Sequence, residues 1–97
     1  MLKILKVTGN SLSPFFLPGD FILVWRAPRR FPKLVQGDFV VFDHVEYGVM
    51  VKRVITNDPH RKVLQVEGTH PDSLSTQKIG AVSYRDLIGK VLHRSRP

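Results

Sequence analysis

The chain of 97 residues suffices for one domain, which buries roughly three-fifths of the surface its unfolded form exposes, and its 42% apolar and 24% charged content excludes disordered and fibrous classes. The absence of cysteine excludes a disulfide framework, thiolate metal sites and cysteine nucleophiles. No apolar run is long enough to cross a bilayer, so a cytoplasmic location is the default expectation, and a formal net charge of +7 predicts attraction to nucleic acid, anionic lipid or an acidic protein.

In chain order, residues 2–7, 21–25, 39–42, 49–55, 63–67 and 87–92 are short runs rich in Val, Ile, Leu and Phe that predict strands. Gly9-Asn10, Pro18-Gly19-Asp20, Gln36-Gly37-Asp38, Asn57-Asp58-Pro59 and Thr69-His70-Pro71-Asp72 separate them with turn chemistry. A Gly-Asp-Phe triplet recurs at Gly19 and Gly37, each time opening an apolar strand, and predicts two similar turns. Helical structure is confined to brief turns at residues 11–16, where Pro14 is tolerated near the start, and at residues 83–87. Residues 26–36, with Pro28, Pro32, Arg26, Arg29, Arg30 and Lys33, read as a mobile loop. Trp25, Phe31, Phe15 and Phe16 read first as core, with Phe15 or Phe16 as candidates for an apolar rim. The expectation is a single, mainly β domain over residues 1–97: a small antiparallel, partly open barrel or sandwich.

Nucleophilic catalysis needs a hydroxyl on an exposed turn, a base within reach and backbone donors for the oxyanion. Gly9-Asn10-Ser11-Leu12-Ser13-Pro14 supplies the first: Gly9 permits a sharp turn after the first strand and Pro14 rigidifies the exit. Strict alternation along residues 49–55 puts Met50, Lys52 and Val54 on one face of a strand, and Val51, Arg53 and Ile55 on the other. Lys52 therefore sits between apolar neighbours, where desolvation would lower its pKa toward the range a general base requires.

These motifs in order, Val7-x-Gly9-x-Ser11-Leu12-x-Pro14, Gly19-Asp20-x-Ile22-Leu23-Val24, Gly37-Asp38-Phe39-Val40-Val41-Phe42 and Val51-Lys52-Arg53-Val54-Ile55, resemble the boxes of type I signal peptidases. The likeness continues through Gly68, Ser73, Gly80-Ala81-Val82 and Ile88-Gly89-Lys90-Val91, over nearly the whole chain. It implies a serine endopeptidase with a Ser-Lys dyad, a known variant of triad logic, on a fold shared more distantly with self-cleaving LexA-type repressors. Ser11 falls at the nucleophile, Lys52 at the general base and the Ser11 N–H at the oxyanion hole. Gly9 offers only backbone there, and Ser73 falls near the serine that orients the lysine. Leu12, Pro14 and Phe15, beside the nucleophile, are the expected substrate contacts.

Several residues depart from the pattern. Leu12 replaces the usual methionine with little change of volume, and Phe15 stands where a small hydroxyl residue is common. Ser75 and Gln77 replace an acid and an arginine in the last box, which strands no buried charge because both members of the pair are lost together. The expected partner is a precursor protein or peptide, bound as an extended strand and trimmed of a leader or signal-type segment. The small protease that processes nickel-type superoxide dismutase is the analogue. The chain is expected to lack a membrane anchor while keeping a peripheral contact with a membrane surface.

No cofactor is expected, since His44, His60, His70 and His93 lack metal-ligand spacing. Asp43 and His44, as strand neighbours, point to opposite faces and do not make a Ser-His-Asp triad. The competing reading is an inactive module that keeps the fold and binds nucleic acid or an acidic protein through its basic clusters, the second being Lys90, Arg94 and Arg96. For the peptidase itself, nucleic acid is not an expected partner.

Overall fold

The computed structural model describes residues 1–7, 16–70 and 74–95. Its strands are β1 (Leu2–Lys6), β2 (Phe21–Trp25), β3 (Phe39–His44), β4 (Gly48–Asp58), β5 (Val63–Glu67), β6 (Val82–Ser83) and β7 (Leu87–Ser95). They form one open sheet in the order β1-β2-β7-β3-β4-β5-β6, with every neighbouring pair antiparallel. The mainly β architecture expected from the short apolar runs is therefore the one observed.

Alternation along the strands divides the apolar side chains between two cores. Val40 and Phe42 of β3, Val54 of β4 and Leu64 and Val66 of β5 pack with Phe31, Leu34 and Ile79 on one face. Val41 faces the other way and joins Val7, Phe16, Ile22 and Val24, with Phe39 and Val51 against them. The first core is roofed by short elements: a 3₁₀ segment, Pro28–Lys33, and helix α1, Thr76–Ile79. Ser75 caps α1 by accepting a hydrogen bond from the Lys78 N–H, and the Thr76 hydroxyl ties the helix to the Val66 carbonyl at 2.9 Å. Ser75, one of the departures in the last box, thus has a local purpose.

The two Gly-Asp turns are near-copies in their bonding. Gly19, with φ 92°, donates its N–H to the Val7 carbonyl, while the Val7 N–H returns a bond to the Asp20 carbonyl. Gly37, with φ 96°, and Asp38 do the same with Val54. Each aspartate also accepts a backbone N–H three residues earlier, from Leu17 to Asp20 and from Val35 to Asp38. Only glycine takes this φ without strain. The expected similarity of the turns is met bond for bond.

Four expectations need correction. β4 runs on through Thr56 into Asn57 and Asp58, where the sequence predicts a turn, because a bulge past Val54 lets it keep pairing with β5. β3 and β7 likewise extend to His44 and Ser95, the latter because β2 pairs with β7 as far as Phe21 and Ser95. Residues 26–36 are not a loose loop: Phe31 and Leu34 are buried, and the Asn57 amide donates to the carbonyls of Phe31 and Leu34 at 3.0 and 2.9 Å. Trp25 is not core, being 39% exposed at the end of β2. By contrast, the brief turn expected near residue 85 is a 3₁₀ segment, Tyr84–Asp86, and Phe31 and Phe16 are core as read.

Gly89 lets β2 and β7 meet closely. A Cβ there would stand 2.5 Å from the Trp25 carbonyl oxygen and 2.8 Å from the Val24 Cγ1. Backbone cannot yield as a flexible side chain does, so Gly89→Ala should destabilise the fold by about 2 kcal/mol, within the usual range for overpacking. Urea unfolding checks this, with unchanged stability as the contrary result.

Candidate active site

β4 alternates between two environments, and its two adjacent cations show the consequence. Arg53 faces the side that holds Val51 and pairs with Glu67 across the β4–β5 ladder, 3.1 Å apart, both partly exposed. Lys52 faces the opposite side, where it is 1% exposed beside buried Val54 and paired across the ladder with fully buried Val40. The other carboxylates near this part of the sheet are engaged elsewhere, Asp38 with Lys90 at 3.6 Å and Asp58 with Arg61 at 4.0 Å. Among the described residues, none forms an ion pair with Lys52. Burial alone accordingly pushes the Lys52 ammonium below the ordinary value of 10.5, because removing water disfavours the charged form and no opposite charge restores it.

The sequence placed Lys52 between Met50 and Val54 on one face, and that placement holds. Gly9, Ser11, Leu12, Pro14 and Phe15 lie outside the described residues, as does Ser73. Their flanks are nonetheless fixed: Val7 and Phe16 are both buried in the second core. The Phe16 ring meets Phe39 edge to face with centroids 4.7 Å apart, and Phe39 pairs with Arg53, next along β4 to Lys52. Phe16 is thus an anchor in the core rather than an exposed rim.

His44, which the sequence places outside any metal site or triad, has both ring nitrogens in use. Nδ1 accepts from the N–H groups of Glu46 and Tyr47, closing the β3–β4 turn, and Nε2 faces the Ile79 carbonyl at 2.9 Å. The Asn57 side chain was overlooked, because an Asn-Asp-Pro run reads as a turn. Its Oδ1 accepts the Tyr84 hydroxyl while its amide holds the 3₁₀ segment. Burial, reinforced by the charge of Asp58 and only partly offset by the Asn57 bond, raises the Tyr84 pKa, so the phenol stays a donor.

An antiparallel β fold that buries a lysine amine in its sheet defines a class of protein in which a Ser-Lys peptidase site can be built. The chain belongs to the Peptidase S24-like family, whose model matches residues 1–92. That match supports the broad signal peptidase and LexA-like grouping. No curated protein matches the chain.

A lysine whose folded pKa lies below its unfolded one binds fewer protons when folded, so stability rises with pH through the interval between the two values. The penalty is complete below the folded pKa and has gone above 10.5. Lys52→Met, similar in length and uncharged, should stabilise the protein by about 1 to 2 kcal/mol at pH 7, as substitutions that relieve a strained functional site do. The gain should shrink as pH approaches 10.5. Chemical denaturation across pH measures this; a gain independent of pH would contradict it.

Proposed function

We propose that the protein is a serine endopeptidase in which Ser11 is the nucleophile and Lys52 the general base. The observation that carries this reading is the burial of Lys52 with no counter-charge among the described residues, in a chain that belongs to the Peptidase S24-like family. In its neutral form the Lys52 amine takes the proton from the Ser11 hydroxyl as Oγ attacks the scissile carbonyl. The proton then goes to the departing amine, leaving an acyl group on Ser11. Water, deprotonated in turn by Lys52, releases the acid product and restores the serine.

Backbone N–H groups of Ser11 and its neighbours stabilise the oxyanion, since Gly9 has no side-chain hydroxyl to donate. Ser73 orients the lysine, and Leu12, Pro14 and Phe15 contact the peptide. The substrate is a precursor from which a leader or signal-type segment is removed, as in the processing of nickel-type superoxide dismutase. The enzyme acts in the cytoplasm. A peripheral membrane contact finds support in Ile4 of β1, 72% exposed, and no helix among the described residues is long and apolar enough to cross a membrane. The reaction as written requires no cofactor.

A covalent acylating inhibitor applied across pH tests the dyad. Adduct formation on Ser11, followed by mass spectrometry, should rise through a pKa below 10.5 and vanish in Ser11→Ala. In Lys52→Met it should fall at least about a hundredfold, the lower range for loss of a general base. Labelling indifferent to Lys52 would remove the catalytic assignment and favour an inactive binding module.

A further inference from the structure

One row of paired residues crosses the sheet on the Lys52 face. Leu2 pairs with Trp25, Trp25 with Lys90, Lys90 with Val40 and Val40 with Lys52. Paired residues share a face, so all five side chains project from the same side. Val40 packs in the first core with Phe31 and Leu34, whereas the Leu2–Trp25 end is open. Between them lies a recess of about 580 Å³ with an apolar floor that includes Trp25, Phe31, Leu34 and Leu92.

Its rim is cationic. Arg30 and Lys33 line it from the 3₁₀ segment and Lys90 from β7, against the single carboxylate of Asp38, which already pairs with Lys90. Among the described residues, neither Arg30 nor Lys33 forms an ion pair. The wall that carries them is held by the Asn57 bonds, so the recess is preformed. Three strand spacings of about 4.8 Å separate Trp25 from Lys52, roughly 14 Å in all. An extended peptide covers that distance in about four to five residues at about 3.3 Å each.

We propose that this recess is an exosite for an acidic segment of the substrate polypeptide bearing an aromatic or leucine side chain, about four to five residues from the scissile bond. This deepens the endopeptidase reading and rests on it. The apolar side chain fills the floor beside Trp25 while flanking carboxylates meet Arg30 and Lys33. A bounded concavity on the same row as the base suits a peptide continuing into the site better than it suits a flat bilayer surface.

Trp25 is the only tryptophan in the chain, so its fluorescence reports on this recess directly. The probe is a synthetic peptide with a Glu-Phe-Glu-Leu core between Gly-Ser spacers. The controls are a Lys-Phe-Lys-Leu peptide and vesicles of phosphatidylglycerol with phosphatidylcholine. We expect a saturable shift in Trp25 emission with the acidic peptide, at least tenfold weaker binding in the Arg30→Glu/Lys33→Glu double variant, and no response to the basic peptide. Both substitutions are at exposed positions, and circular dichroism verifies that the variant folds. Lys52→Met should bind the acidic peptide as tightly as the parent, which separates loss of the exosite from loss of the catalytic reading. An unchanged emission, binding insensitive to the charge reversal, or a shift produced by anionic vesicles alone would each overturn the proposal.

Discussion

A primary amine enclosed by a β-sheet face must forgo the hydration that makes lysine a strong base elsewhere. Among the described residues the loss is not made up by a carboxylate: Glu67 serves Arg53 on the opposite face, and Asp38 serves Lys90 two strands away. Lys52 is therefore a local electrostatic liability kept in the middle of the longest strand. Desolvation acts toward the neutral amine. That neutral amine is what a serine nucleophile needs beside it, and a buried lysine without such use would be better replaced by an apolar residue.

The rest of the scaffold holds this position in place. Val40 across the ladder and Val54 along the strand are fully packed, so the aliphatic stem of Lys52 cannot swing out to water without opening the first core. The Gly37-Asp38 turn clasps the Val54 backbone from both its N–H and its carbonyl, two residues beyond Lys52. Its counterpart at Gly19-Asp20 clasps Val7 in the same way, fixing one end of the segment that carries Ser11, and Phe16 fixes the other. Two copies of one turn thus brace the strand that carries Lys52 and the start of the segment that carries Ser11.

Much of this was legible in the sequence where the determinant is local. The Met50, Lys52, Val54 alternation needs only the period of a strand, and the two Gly-Asp-Phe triplets carry their own turn geometry. β2 and β5 match their apolar runs end to end. What escaped depends on distant partners. Asn57 and Asp58 are poor strand formers recruited by pairing with β5. The 3₁₀ segment looks like a loop until Asn57 binds its carbonyls. The run Phe21 to Trp25 is apolar throughout, so no periodicity could tell that Trp25 would end on an uncovered part of the sheet. The row from Trp25 to Lys52 exists only through the registers of three strand pairings, two of them between strands far apart in the chain. The residues beside Ser11, and Ser73, were legible only as resemblance to a family.

The most direct test of the account is the ionisation of Lys52 itself. NMR titration of the intact protein with lysine labelled at Cε, the Lys52 signal assigned by its loss in Lys52→Arg, reads the protonation of this amine without reference to catalysis. The account predicts a midpoint for Lys52 below 10.5 and below those of the exposed lysines. A Lys52 signal that titrates at or above 10.5 would show that the amine keeps its proton despite burial, and would contradict its assignment as the base.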